Sequence, residues 1–237
     1  MRLLVTRPDP EGERTAKALE KLGHHVIISA ALDIRYLIDA SISVKKPQAV
    51  LVTSVNAVRA LERHGRNRDM LACPVLAVGD RTAVEARRAG FAGAVSAQGS
   101  LDDLCALVNE ICTPAGGPLL FAAGADQAGD LAGRLGHDGF GVETVTVYKA
   151  DKVRDLTDAA RKALRDNEVD GVLFYSARSA AAFGEQLERA GLAPLADHVT
   201  CYCLSQAIAD AAAPFASGPV RIAATPDQLA LFALIEA

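Results

Sequence analysis

Short runs of consecutive apolar residues alternate along this chain with longer stretches in which apolar residues recur every three or four positions. The runs predict strands at about 3–6, 25–29, 49–53, 75–78, 94–96, 119–122, 142–148, 171–175, 200–204 and 220–223, two sets of five. The stretches between them predict amphipathic helices with matching punctuation. Asp9 then Pro10, and Thr225 then Pro226, read as N-cap and first helical position, while Gly23, Gly65, Gly90 and Gly191 stand where helices should stop. Apolar strands alternating with helices are the pattern of parallel sheets covered on both faces, so the predicted fold class is α/β.

The same series of elements occurs twice. Residues 48–65, QAVLVTSVNAVRALERHG, and 170–191, DGVLFYSARSAAAFGEQLERAG, each give an apolar run ending in a hydroxyl residue, then a helix closed by Gly. The first is followed by VLAVGDRTAVEARRAG (75–90) and GSLDDLCALV (99–108), the second by TCYCLSQAIADAAA (200–213) and TPDQLALFAL (225–234). LLVTRP near the start likewise answers LLFAAG, with Gly23 matching Gly139 and Val26 matching Val142, both 116 positions apart. This duplication predicts two lobes of one design with a ligand in the cleft between them.

Composition narrows the class. The 237 residues are 50% hydrophobic, enough to build real cores and too apolar for a disordered chain. No apolar run approaches the ~20 residues that span a bilayer, and the chain enters a strand without a charged-then-apolar leader, so a cytoplasmic protein is expected. Five cysteines without a CxxC pair fit reduced thiols. Cys201 and Cys203 share a strand face, yet His or Asp partners for a metal are lacking nearby. A net charge of −4, scattered basic residues and the absence of Trp argue against nucleic-acid binding.

In open α/β sheets ligands sit beyond the carboxyl ends of strands. The residues there are Thr6-Arg7-Pro8, Thr53-Ser54, Gly79-Asp80-Arg81-Thr82, Ala123-Gly124, Tyr148, Ser176 and Ser205. A helix that begins after each strand offers free first-turn amides to an anion, and the same hydroxyls also serve as helix caps.

VTRP (5–8), TSVNAV (53–58), AVGDRTA (77–83), VTVY (145–148), FYSARSA (174–180) and a closing helix after Thr225-Pro226, in this order and spacing, resemble the uroporphyrinogen-III synthase family. The resemblance covers essentially the whole chain, and its weight lies in the ordered series, since VGxxTA alone fits many α/β proteins. It implies a discontinuous domain of residues 1–34 plus 151–237 and an inserted domain of residues 35–150, each a five-stranded parallel sheet. A two-stranded connection would join them, with crossings near Leu32–Tyr36 and 148–153. It also implies a monomeric lyase that needs no cofactor and no metal. The substrate is hydroxymethylbilane, a linear tetrapyrrole with eight carboxylates, which the family closes into uroporphyrinogen III while inverting ring D through an azafulvene and a spiro intermediate.

That chemistry gives the strand-end residues roles. Thr82 and the amides around it would receive a substrate carboxylate, as would Ser54 and Asn56. Ser176, Arg178 and Ser179 form the corresponding loop of the other lobe, where Arg178 adds a cation for a polyanion. Arg7 can reach substrate or pair with a helix. Tyr148 would donate a proton to the departing hydroxyl, or pack the hinge. One position departs from the family pattern: where many members carry a second Gly-x-x-Thr-Ala turn, this chain has Ser205-Gln206-Ala207-Ile208-Ala209, so Ile208 takes the place of the hydroxyl. The five histidines read as surface or capping residues. Two alternatives compete: a nucleotide-binding enzyme, for which neither AVGDRTA nor AAGADQAG (122–129) completes GxGxxG, and a non-catalytic two-lobed binding or sensor protein.

Overall fold

The structure, a computed structural model, describes residues 1–91, 93–127 and 129–236. Ala128, within the 122–129 segment, and Ala237, the last residue of the discontinuous domain, lie outside the described residues, as does Ala92. The chain opens with β1 (Arg2–Val5), α1 (Glu11–Lys21), β2 (His25–Ile28) and β3 (Leu32–Tyr36). Next come β4 (Val50–Val52), α2 (Val55–Arg63), α3 (Asn67–Met70), β5 (Val75–Ala77), α4 (Asp80–Arg88), β6 (Ala94–Ser96), α5 (Leu101–Ile111), β7 (Leu119–Gly124), α6 (Leu131–His137) and β8 (Val142–Lys152). It closes with α7 (Asp158–Arg165), β9 (Gly171–Phe174), α8 (Ala177–Ala190), β10 (Thr200–Cys203), α9 (Gln206–Ala212), β11 (Val220–Ile222) and α10 (Gln228–Glu236). Contacts group these into two compact units, Met1–Asp33 with Asp151–Ala237, and Ile34–Ala150.

The sheet of the first unit has the order β11-β10-β9-β1-β2 and is parallel throughout. Its central strands are apolar on both faces because helices cover both: Leu3, Leu4, Val5, Val172, Leu173 and Phe174 are fully buried. Phe174, Phe183 and Phe215 meet edge to face at 5.5–5.8 Å, closing the core under α8.

The second sheet has the order β3-β8-β7-β4-β5-β6 and six strands, one more than the pattern predicts. From β8 to β6 it is parallel. The extra strand is β3. Leu37 N–H donates to Val147 C=O at 2.8 Å and Val153 N–H to Ala31 C=O at 3.0 Å, so β3 runs antiparallel to β8. Leu-Asp-Ile-Arg-Tyr alternates buried and exposed positions, as a strand at a sheet edge does. The other ten strands fall where the apolar runs predict, although β8 runs on to Lys152.

Two predicted caps are displaced. The helix after Pro226 begins only at Gln228, and Asp227 caps it by accepting from Ala230 N–H at 2.9 Å, with Thr225 donating to the Asp227 carboxylate. A carboxylate at the N-cap outcompetes a hydroxyl two residues earlier. Likewise α1 starts at Glu11, after Pro10. Gly23, Gly90 and Gly191 stop helices with positive φ, whereas α2 ends at His64 in extended backbone and Gly65 has no such role.

Strand for strand, the sequence repeat maps one sheet onto the other. Pairing β4 with β9, β5 with β10, β6 with β11, β7 with β1 and β8 with β2 turns the order 6-5-4-7-8 into 11-10-9-1-2. The units thus share a spatial order but enter it at different points in the chain. Each has one crevice where consecutive crossovers leave in opposite directions, between β1 and β9 in the first unit and between β4 and β7 in the second. In a doubly wound sheet this is where ligands bind.

Candidate active site

In the second unit, register places four of the predicted loops side by side. Val52 lies opposite both Ala77 and Ala122, and Gly124 lies opposite Tyr148 across a bulge. Ser54, Gly79, Gly124 and Tyr148 therefore share one row at the carboxyl edge of the sheet, and the β4/β7 crevice opens within it. Ser54 is the N-cap of α2 and accepts from Asn56 N–H at 3.1 Å. Asn56 offers its side-chain oxygen to the Tyr36 hydroxyl at 3.5 Å, and Arg63 stacks on the Tyr36 ring at 4.4 Å. Neither Tyr36 nor Arg63 carries a sequence signal of its own, because a β3 residue meets α2 only once the sheet is assembled.

Thr82 does not begin its helix. Gly79 is the N-cap of α4 and has no side chain to accept from the first turn, so Thr82 occupies the third helical position and is buried. Its N–H bonds to Gly79 C=O at 3.1 Å. Ile208 holds the equivalent third position of α9, after Ser205, and is equally buried.

Tyr148 covers Gly124. A Cβ at position 124 would stand 2.6 Å from Tyr148 Cζ and 2.7 Å from its hydroxyl oxygen. The ring packs against the second unit's core while its hydroxyl has no hydrogen-bond partner among the described residues.

In the first unit the β1/β9 crevice holds Arg7 and Ser176. The Arg7 guanidinium stacks on Tyr175 at 4.0 Å, donates to Thr15 at 3.2 Å and to Gln228 at 3.4 Å, and faces Glu11 at 3.6 Å. It is thus an oriented cation tied to α1, α10 and β9, and Tyr175, Thr15 and Gln228 are the supports that a one-dimensional reading missed. Ser176 caps α8: its hydroxyl oxygen accepts from Ser179 N–H at 3.1 Å and meets the buried Ser179 hydroxyl at 2.8 Å. Arg178 follows in the first turn of α8, partly exposed. Thr6, by contrast, is fully buried and donates to Leu173 C=O at 2.9 Å, a structural role.

Among the described residues no three His, Cys, Asp or Glu side chains gather as a metal site would need. Burial pushes the Cys201 thiol up to about 12, with Cys203 adding to it, and pushes Cys203 up to about 11. One histidine departs from the surface-or-capping reading, since both ring nitrogens of His24 are buried; His64 is the C-cap of α2, buried, and bonds to Ala40 C=O at 2.8 Å. Among the described residues no helix is long and apolar enough to cross a membrane.

The profile of the family described as uroporphyrinogen-III synthase HemD matches residues 13–233. No curated protein sequence matches the chain. Among solved structures, the chain is similar to uroporphyrinogen-III synthetase from Helicobacter pylori, with 18% identity, a TM-score of 0.67, and 100% of this chain and 99% of that one covered. It is also similar to a mutant uroporphyrinogen III synthase from the extremely thermophilic bacterium Thermus thermophilus, with 18% identity, a TM-score of 0.56, and 100% and 97% covered. At that identity the likeness shows a shared mixed α/β fold.

Proposed function

We propose how the strand-end residues divide the work in a chain that belongs to the uroporphyrinogen-III synthase family, cyclising lyases of tetrapyrrole biosynthesis. The family match across residues 13–233 carries the assignment of the reaction, closure of hydroxymethylbilane to uroporphyrinogen III. Everything below concerns which atoms achieve it.

The bilane is already reactive: loss of its terminal hydroxyl leaves an electrophilic azafulvene, and the free chain closes unaided to the type I ring. The enzyme must therefore hold the chain so that the substituted carbon of ring D attacks first, giving a spiro intermediate that fragments and recloses as type III. Most of the acceleration is then orientation. Eight carboxylates supply the handles. Ser54 and Asn56, and the first turn of α4 around Thr82, offer amides and hydroxyls to some of them. Ser176, Ser179 and Arg178 do so at α8, and the oriented guanidinium of Arg7 takes another. The uncapped α4 terminus supports this reading, because Gly79 leaves its first amides to a ligand. Where Ile208 replaces a hydroxyl, α9 makes no side-chain contact of that kind.

Tyr148 is the proton donor to the departing hydroxyl. Its phenol stands over Gly124 beside the switch crevice, within β8 rather than at its end, without a partner among the described residues, and a donor kept for substrate must be unengaged. We further propose that the two contact units are the family's two domains, residues 1–34 with 151–237 and 35–150, joined through β3 and β8. The protein works as a cytoplasmic monomer with no nucleic-acid partner, and the reaction asks for neither a redox nor a Lewis-acid cofactor.

The test is to feed freshly made hydroxymethylbilane to the purified protein, oxidise the product and separate the uroporphyrin isomers. Type III is expected. Type I alone, at the rate of the buffer control, overturns the reading.

A further inference from the structure

The starts of α2 and α4 differ by one cap. Gly79 brings no side chain to α4, whereas the Ser54 hydroxyl oxygen takes Asn56 N–H at 3.1 Å, and Ala57 and Val58 N–H both bond to Ser54 C=O, at 3.1 and 3.4 Å. The backbone at the start of α2 is therefore nearly closed, and what it has left for a carboxylate is carried by side chains. Among the described residues the Asn56 NH₂ has no partner, while the oxygen of the same amide is held by the Tyr36 hydroxyl at 3.5 Å. An amide anchored by its oxygen turns its two N–H donors outward.

Tyr36 is the last residue of β3, and the pairing of that strand fixes where it stands. The bond from Leu37 N–H to Val147 C=O and the bond from Val153 N–H to Ala31 C=O give one and the same antiparallel register, in which Tyr36 lies directly opposite Tyr148. Next to a hydrogen-bonded pair, this is a non-hydrogen-bonded one, with Cα atoms about 4.5 Å apart and side chains that start on the same face. Both tyrosines pack against the same core cluster of the second unit. From that common base they part. The Tyr148 ring covers Gly124, and the Tyr36 ring lies along α2, with the Arg63 guanidinium over it at 4.4 Å and its hydroxyl at Asn56. Asn56 and Arg63 stand two turns apart on one face of α2, so the tyrosine is gripped at ring and hydroxyl alike.

Resting on the roles given above to Asn56 and Tyr148, we propose that Tyr36 is a positioning residue of the cyclisation. Its hydroxyl holds the Asn56 oxygen so that the NH₂ faces a substrate carboxylate, and its seat opposite Tyr148 ties that handle to the strand carrying the proton donor. Orientation is most of what this reaction needs, and a handle fixed relative to the donor sets the reacting end of the bilane. The same amide turned over would present its oxygen to a carboxylate and repel it, so the Tyr36 hydroxyl decides the sign of the contact. At 3.5 Å the bond from Tyr36 to Asn56 is long, as hydrogen bonds in such sites often are before substrate tightens them.

The experiment is steady-state kinetics with hydroxymethylbilane on the unaltered chain, Tyr36→Phe, Asn56→Ala, the double variant and Asn56→Asp, with urea denaturation of each. Tyr36→Phe keeps the ring, its seat and the Arg63 stack and loses only the hydroxyl. KM should rise about three- to tenfold, the worth of one net hydrogen bond, with kcat within about twofold and the urea midpoint unmoved. Adding Tyr36→Phe to Asn56→Ala should raise KM no further, because the hydroxyl then has no amide to hold. Asn56→Asp, which sets a charge of the wrong sign in the same space, should be worse than Asn56→Ala. An unchanged KM in Tyr36→Phe, effects of Tyr36→Phe and Asn56→Ala that multiply, or an Asn56→Asp variant no worse than Asn56→Ala overturns the proposal, while type III from the unaltered chain leaves the assigned reaction standing. Absence of type III from the unaltered chain overturns both.

Discussion

At the scale of single residues, Gly124 and Tyr148 form one device. The tyrosine ring fills the space a side chain at 124 would need, and in return the glycine leaves the ring a fixed seat beside the crevice. Tyr148→Phe keeps the ring and its packing but removes the proton donor. Type III formation should fall roughly tenfold with product affinity little changed, near the low end for a general acid because the hydroxyl leaves readily even in water. Full activity in the Phe variant would make Tyr148 a packing residue. Gly124→Ala must push the ring aside, so its loss should match or exceed that of Tyr148→Phe, and the double variant should lose little more than the worse single one. Independent, multiplying losses would mean that the two do not act together. Thr82 offers a separate test: Thr82→Ala should weaken substrate handling several-fold, and Thr82→Asp should be worse, since it sets a negative charge where a carboxylate is proposed to sit. Product binding by Thr82→Asp as tight as that of the unaltered chain would move the carboxylate elsewhere. Tyr148, Thr82 and Ser54 were legible because each lies at the end of an apolar run or in the turn that follows one. Gly124 as the seat of Tyr148, Tyr36 against Asn56 and Gln228 against Arg7 were not, because each contact joins positions brought together only by strand register or sheet order.

At the scale of elements, α2 and α4, which carry Ser54 and Thr82 at their starts, are locked to each other by a buried charge pair. Arg59 donates to Glu85 at 2.9 Å with both side chains nearly inaccessible, and Arg88 reaches the same carboxylate at 3.0 Å. Burial pushes the Glu85 carboxyl up, but hydrogen bonds from Arg88 and Arg59 and their charges outweigh it and hold the group below the usual carboxylate range. A lowered folded value means that the pair contributes fully above the unfolded carboxylate pKa of about 4.3 and loses that contribution as pH falls through the folded value. Glu85→Gln takes a charged hydrogen-bond partner away from the buried Arg59 and should cost about 1.5–3 kcal/mol at neutral pH. That gap to the unaltered chain should narrow as the medium is acidified below about pH 4, measured by urea denaturation at several pH values. A pH-independent gap would show that the charge of Glu85 contributes nothing. A small cost at neutral pH would show that the pair is dispensable. Neither helix announces this pair in sequence, since Arg59 and Glu85 look like ordinary exposed charges until the neighbouring crossovers bring their helices together. Strands and helices as such were legible from apolar runs, whereas caps and the edge strand β3 were not: a cap is chosen among adjacent polar residues by geometry, and β3 depends on a partner more than a hundred positions away.

At the scale of the molecule, the chain consists of two versions of one sheet order entered at different points. The duplicated pattern of runs was legible in the sequence. The permutation was not, because a repeat says which segments are alike and leaves open which of them pair. Each unit carries its own core. Leu51, Leu76, Leu104, Leu120 and Phe121 are buried in clusters made wholly of second-unit residues, while Leu3, Val5, Leu173 and Leu231 belong to one made of first-unit residues. Residues 32–152 are moreover a continuous piece of chain that holds every strand of its sheet, with a length in the usual range for an independent domain. Expressed alone, this piece should fold, giving dispersed amide resonances and one cooperative urea transition. Excision removes the Ala31–Val153 hydrogen bond that flanks β3 and β8, worth about 1 kcal/mol, and the Lys152–Glu185 ion pair. The Arg59–Glu85 lock and both core clusters stay intact within it. Glu85→Gln should destabilise the excised piece by the same amount as the full chain, since Arg59, Glu85 and Arg88 all remain in it. A collapsed spectrum with no cooperative transition would show that the second unit needs the first in order to fold, and that the chain is one cooperative body in spite of its two cores.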